Sequence, residues 1–147
     1  MRHEINTSIS IAASPERVWA ELLDFERYPE WNPFVRSIQG RPSAGSTLKV
    51  TIHPPGGMAM TFRPTVLLCN ADREFRWMGK LLVRGLFDGE HYYGLAPMAD
   101  GSTLFTHGEH FRGLLVRPFR SALDGRTKSG FEAMNLALKQ RIEGGAG

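Results

Sequence analysis

The chain has 147 residues, 41% of them apolar, with a net charge of +3 and a single cysteine, Cys69. That length fits one domain able to bury roughly 70% of its unfolded surface, so neither a disulfide nor a metal is needed for folding. The composition excludes a disordered chain, the lone cysteine excludes an internal disulfide or a thiolate zinc cluster, and no apolar run approaches the ~20 residues of a membrane-spanning helix.

Residues 3–12 alternate, with Ile5, Thr7, Ile9 and Ile11 on one face and Glu4, Asn6, Ser8 and Ser10 on the other, which predicts a half-buried strand. The opening residues thus read as strand and not as a signal-peptide core, and with the lone cysteine they suit a reducing, cytoplasmic setting. Ser14-Pro15-Glu16 is a helix start: Ser14 caps, Pro15 fits the first position, and Glu16 favours the positive end. Val18, Trp19, Leu22 and Leu23 form the apolar stripe of that helix, which ends near Asp24. Glu26 to Pro33 reads as a short second helix or turn, closed by Pro33.

Six strands are expected next: Phe34–Gln39, Thr47–His53, Met58–Leu68, Arg73–Leu82, Gly85–Leu95 and Ser102–Phe111. Pro64 breaks the third of these and implies an edge or a bulge. Loops fall at Gly40–Gly45, Pro54–Gly57, Asn70–Asp72 and Pro97–Gly101. After Gly113 the period becomes helical. Leu115, Phe119, Leu123, Thr127, Phe131, Met134, Leu138 and Ile142, with Ala122, Gly130 and Ala137, define one long amphipathic helix over 115–142. The tail from Gly144 to Gly147 is expected to be frayed.

Short connections make the sheet antiparallel. The expected architecture is α+β, in the order β-α-α-β6-α. A seven-stranded curved sheet wraps the C-terminal helix in a single domain over residues 1–147, as a monomer or homodimer.

Several residues here resemble a known family. Ser14-Pro15-Glu16-Arg17-Val18-Trp19, Leu23-Asp24 and Tyr28-Pro29-Glu30-Trp31-Asn32-Pro33-Phe34 are similar to the opening of the SRPBCC superfamily. Phe75-Arg76-Trp77, Gly101-Ser102-Thr103 and Glu109-His110-Phe111-Arg112-Gly113 continue the likeness, in order, over about residues 5–140. The nearest branch is the polyketide cyclase/dehydrase and lipid-transport branch, related to START domains. The resemblance implies a helix-grip fold with a hydrophobic pocket between helix and sheet. Its members are as different as cyclases, lipid carriers, hormone receptors and chaperone activators, so fold alone does not choose a function.

By residue pattern alone, a filled core and an open pocket fit the apolar inventory equally; the resemblance favours the pocket. Its expected wall comprises Trp31, Phe34, Phe62, Trp77, Phe87, Phe105, Phe119, Phe131 and Met134, together with His91, Tyr93, His107 and Glu109. Met60, Phe62, Pro64, Val66 and Leu68 share one parity along their strand. The loop at 97–101 permits a register pairing Leu95 with Phe105, Tyr93 with His107 and His91 with Glu109. That register turns two imidazoles, a carboxylate and a phenol inward.

The polar cluster has three readings. It anchors a ligand hydroxyl or carbonyl; it moves a proton next to a carbonyl, with His107, Glu109, His91 and Tyr93 as catalytic candidates; or its members only satisfy one another. His91, His107 and Glu109 also make a two-histidine, one-carboxylate set, but the spacing is generic and no metal is expected. No cofactor is expected either, since phosphate-cradling, dinucleotide and serine-hydrolase motifs are missing.

The remaining features have plain readings. Arg112, Arg117, Arg120, Arg126 and Lys128 are the densest basic stretch, but Phe111 and Phe119 between them look like core, so a solvated helix face is expected and no nucleic acid. Cys69 has no basic partner in sequence and reads as packing. His3 and His53 read as surface residues, and Arg76 as facing solvent. The expected partner is a small hydrophobic molecule, with a cyclase/dehydratase-like enzyme and a protein-interaction module as alternatives.

Overall fold

The computed structural model describes residues 2–80 and 85–145. Its elements run β1 (Arg2–Ile11), α1 (Pro15–Leu22), a 3-10 turn (Phe25–Arg27), α2 (Tyr28–Trp31), β2 (Val35–Gln39), β3 (Lys49–Ile52), β4 (Met60–Phe62), β5 (Thr65–Asn70), β6 (Glu74–Lys80), β7 (Asp88–Pro97), β8 (Thr103–Arg112), α3 (Val116–Ala122), a π-helical turn (Leu123–Thr127) and α4 (Lys128–Gly144). The ends of two expected segments, Leu81 and Leu82 of the fifth strand and Ala146 and Gly147 of the tail, lie outside the described residues. Gly144 ends α4 and is not part of a frayed tail.

The fold is α+β, an antiparallel sheet gripping a long C-terminal helix. The single seven-stranded sheet of the sequence reading is corrected to eight strands in two sheets: β1-β8-β7-β6-β5 and β2-β3-β4. Pro64 is the cause. With no N–H to donate, it ends β4, and its carbonyl accepts instead from Leu48 N at 2.9 Å. Among the described residues one backbone bridge, Thr47 with Thr65, links the sheets, with Gly45 N donating to Val66 O at 2.8 Å beside it. A bulge follows between Val66 and Leu68. It breaks the expected parity: Val66 is buried, while Met60, Leu67 and Leu68 are exposed.

Ser14 caps α1 as expected, its hydroxyl accepting from Arg17 N at 3.2 Å. Val18 and Leu22 are fully buried and Trp19 and Leu23 partly so. The long helix forms but is not continuous. The π-helical turn inserts an extra residue per turn at Leu123–Thr127 and rotates the two halves against each other. Beyond it, Gly130, Phe131, Met134, Asn135, Leu138 and Ile142 are buried. Before it, Val116 takes the buried position, and Phe119, expected in the core, is 49% exposed; Ala122 is exposed too.

The helix lies against β1, α1 and β8. Gly130 permits its closest approach: a methyl group there would overlap the ring of Phe34, which itself packs edge-on to Phe131 at 5.4 Å.

Candidate functional site

The β7–β8 register is the expected one. His91 faces Glu109, Tyr93 faces His107 and Leu95 faces Phe105. All six side chains point inward, and in β1 Ile5 and Thr7 pair with Glu109 and His107 from the other side. Along this face, Leu95 and Phe105 close one end. Phe111, Phe87 and Phe119 form the other, with ring centroids 5.7 Å apart for Phe87–Phe111 and 6.1 Å for Phe87–Phe119.

Between the ends runs a continuous chain of hydrogen bonds. Glu109 Oε1 lies 3.0 Å from His91 Nδ1, and His91 Nε2 lies 2.8 Å from His107 Nε2. His107 Nδ1 lies 2.9 Å from Asn135 Oδ1. Asn135 Nδ2 donates to Thr7 Oγ1 at 2.8 Å, and Thr7 donates to the His107 carbonyl at 2.7 Å. Rings clamp both imidazoles. Trp77 stacks on His91 at 4.7 Å, and Phe131 stacks on His107 at 4.1 Å. Tyr93 points its hydroxyl at the Met134 sulfur, 3.7 Å away.

Burial dominates the electrostatics. Desolvation lowers His91 to about 3 and depresses His107 well below the usual range, with the neighbouring His91 acting in the same direction. It raises Glu109 to about 8, the His110 charge opposing weakly, and it also raises the Tyr93 phenol. The chain therefore holds neutral imidazoles beside a protonated acid. Glu109 is its outer end: its side chain is 17% exposed, that of His91 5%.

Asn135 and Thr7 did not stand out from sequence as members of the site. Thr7 is a polar residue on an otherwise apolar strand face, and Asn135 sits four residues after Phe131 and three before Leu138, on the buried phase of α4. A polar residue at a core position was the available signal.

Of the expected wall, Phe34, Trp77, Tyr93, Phe105, Phe131 and Met134 are buried, and Trp31, Phe62 and Phe87 are partly buried against the core. Phe62 lies beside Gly79. The indole N–H of Trp31 is buried without an acceptor among the described residues. Phe119 keeps its contact with Phe87 but is half exposed. His3, expected at the surface, is corrected: its side chain is 11% exposed and pairs with Asp124 at 2.6 Å. Cys69 packs partly against the core, and burial pushes its thiol up. Arg76 is on the outer face but held between Glu74 and Glu90 and over Tyr92. A depression of about 990 Å³ is lined by charged residues such as Arg63, Lys80, Glu90 and Arg112 and reaches Phe111 at the aromatic end.

A metal would not sit between the two imidazoles. Two nitrogens bound to one zinc stand roughly 3.3 Å apart and converge on it; here they face each other at 2.8 Å as donor and acceptor. Among the described residues no cluster of three His, Cys, Asp or Glu is arranged to hold a metal, and no helix is long and apolar enough to cross a membrane.

Residues 2–143 match the family profile described as polyketide cyclase/dehydrase and lipid transport. The chain belongs to that family. Among solved structures, a START superfamily protein from Mycobacterium smegmatis is 25% identical, with a TM-score of 0.73 over 97% of this chain and 98% of its own. The Zhui aromatase/cyclase from Streptomyces sp. R1128 superposes at a TM-score of 0.78 with 14% identity, covering 97% and 94%. The protein TTHA0849 from Thermus thermophilus does so at 0.77 with 16% identity, covering 99% and 100%. At those identities the last two show the fold alone. No curated protein sequence matches the chain. The family's description supports ligand binding or a cyclase role for this member.

Proposed function

We propose that the chain binds a small, mostly apolar molecule between sheet and C-terminal helix, with Glu109 and His91 as its polar anchor. The observation that carries this reading is the Glu109 carboxyl: desolvated, inward-facing, yet still partly exposed at the aromatic end of the grip. A group kept only for packing would not be a carboxyl there, because burying one is costly unless it is used or fully paired. Phe87, Phe111 and Phe119 would contact the ligand first, and Trp77, Phe131 and Met134 would form the floor. Trp31, Phe34, Phe62, Tyr93, Phe105 and His107 complete the proposed lining. The rings pack closely, so entry requires Phe87 and Phe119 to part.

Thermal melts against a panel of fatty acids, naphthalenes and polycyclic phenols test this. Binding to the folded state raises the melting temperature by mass action, by about 2.7 kcal/mol of stability at a hundredfold excess over Kd. A panel without any shift, together with a protein purified free of small molecules by mass spectrometry, would overturn the proposal.

A second reading, an acid/base enzyme of the cyclase or dehydratase kind, is favoured by one observation. Glu109, His91 and His107 form a contiguous set of proton-exchanging groups. Here Glu109 and His91 are the catalytic residues and His107 a positioning residue. Conversion of a poly-β-ketone substrate that falls at least tenfold in Glu109→Gln, with binding retained, supports it; unchanged turnover rejects it.

A further inference from the structure

We infer that the hydrogen-bond chain runs one way only, that Thr7 and Asn135 set its direction, and that Glu109 consequently offers an acceptor oxygen to a hydroxyl group on the ligand. This rests on the binding reading above and names the chemistry of the bound group.

The direction follows from the far end. The His107 carbonyl can only accept, so the single hydroxyl hydrogen of Thr7 is spent on it. Thr7 Oγ1 must then accept from Asn135, which fixes the amide nitrogen on Thr7 and the amide oxygen on His107. His107 therefore carries its hydrogen on Nδ1 and, being neutral, a lone pair on Nε2. His91 must meet that lone pair with Nε2–H. A neutral His91 is then bare at Nδ1 and requires a donor from Glu109 Oε1. If the shared proton moves from Oε1 to Nδ1, the rest of the chain is unchanged. If it sits on Oε2 with His91 neutral, Nδ1 must donate to Oε1, and two lone pairs collide at the His91–His107 contact, 2.8 Å apart. Both permitted states therefore leave Glu109 Oε2 without a hydrogen.

Oε2 is the atom left for a ligand. It has no hydrogen-bond partner among the described residues, and it lies over the bare Cα of Gly89, where a methyl group would overlap it. An oxygen with lone pairs and no hydrogen takes a hydroxyl, as in a phenol, enol or alcohol, and discriminates against a ligand that can only accept. Thr7 and Asn135 are positioning residues: neither hydrogen-bonds Glu109, and they act through the imidazoles, with the Phe131 carbonyl also accepting from His107.

The experiment has two arms on the full chain. In the first, side-chain ¹⁵N NMR at pH 6.5 reads the tautomers without ligand. The expected result is Nδ1–H at His107 and Nε2–H at His91; the opposite pair overturns the assignment. Thr7→Val, close in shape, should mix the His107 tautomers, while Thr7→Ser should restore them. A folded Thr7→Val with unmixed tautomers overturns the role of Thr7. In the second arm, 2-naphthol is compared with 2-methoxynaphthalene. One hydrogen bond to a buried acceptor predicts about tenfold tighter binding of the naphthol. Thr7→Val should reduce that preference below about threefold. Equal binding of the two probes overturns the hydroxyl assignment and leaves the binding reading standing. Failure of both to bind removes the two together, whatever the tautomers are.

Discussion

At the scale of single residues, Glu109 and the two histidines pull stability in opposite directions with pH. Folded Glu109 keeps its proton to about 8 and the unfolded carboxyl only to 4.5, so the folded chain binds more protons in that window. Its stabilisation is complete below the unfolded value and is lost as pH rises towards 8. Folded His91 titrates at about 3 against 6.5 unfolded, and His107 is depressed likewise, so their contribution is lost as pH falls below 6.5. Stability from these three groups therefore peaks near pH 6.5. Between pH 6.5 and 8 the Glu109 contribution falls by about 1.7 kcal/mol while the two histidines return about 0.8, so the chain should lose about 1 kcal/mol, at 1.36 kcal/mol per unit for each fully titrating group. Glu109→Gln replaces the acid by an amide that donates to His91 Nδ1 equally well, so it should fold and show no loss over that range. Denaturant titrations of both proteins at the two pH values decide this; parallel losses would exclude Glu109 as the source. The pairing of His91 with Glu109 was legible in the sequence because loop length and period-two alternation permit that register, which the structure has. Asn135 was not, since helical periodicity sorts residues by phase and says nothing about which polar group a strand opposite will present.

At the scale of elements, glycines in the C-terminal helices test where packing overrides propensity. Gly130 costs helix stability by its flexibility, yet an alanine Cβ would strike the Phe34 ring. Gly130→Ala should destabilise by about 1–3 kcal/mol, as overpacked cores do. Gly125, in the π-helical turn, has nothing within reach of a Cβ, and Gly125→Ala should stabilise by up to ~1 kcal/mol. Melting temperatures shifting in opposite directions check the pair; a shared sign would show the approach of helix and Phe34 to be looser than described. The π turn also explains the misplacing of Phe119. Steps of three and four predict one unbroken stripe, and an inserted residue leaves the composition of that stripe intact while rotating its first half outward. Pro64 was read correctly as an interruption, but whether a proline bends one strand or divides it depends on the carbonyls nearby, here through Leu48.

At the scale of the molecule, the two sheets differ in how firmly they are held. β1, β7 and β8 are ten residues each and paired along their full lengths, whereas β4 has three residues, all at least partly exposed, and among the described residues the smaller sheet joins the larger by a single backbone bridge. Amide exchange should be at least ~100-fold faster in Met60–Phe62 than in the interior of β8, through local opening and not global unfolding. Uniform protection would mean that both sheets open as one unit. The grip itself was legible because alternating strands followed by one long amphipathic helix leave few other ways to bury both apolar faces. The division into two sheets was not, since it depends on the Pro64 carbonyl and a single bridge.

The short link from Thr7 to the carbonyl of His107 ties β1 to β8 across their shared edge. Strand pairing has a period of two, so sliding β1 by one residue would turn Thr7 to the outer face and bring Asn6 or Ser8 opposite His107. In the direction that brings Asn6 there, the hydroxyl that decides which nitrogen of His107 is protonated would be gone. Imidazole ¹⁵N resonances deep in the core thus act as a gauge of alignment between the first and last strands. Their splitting into two sets would expose a misregistered population invisible to measurements of secondary-structure content.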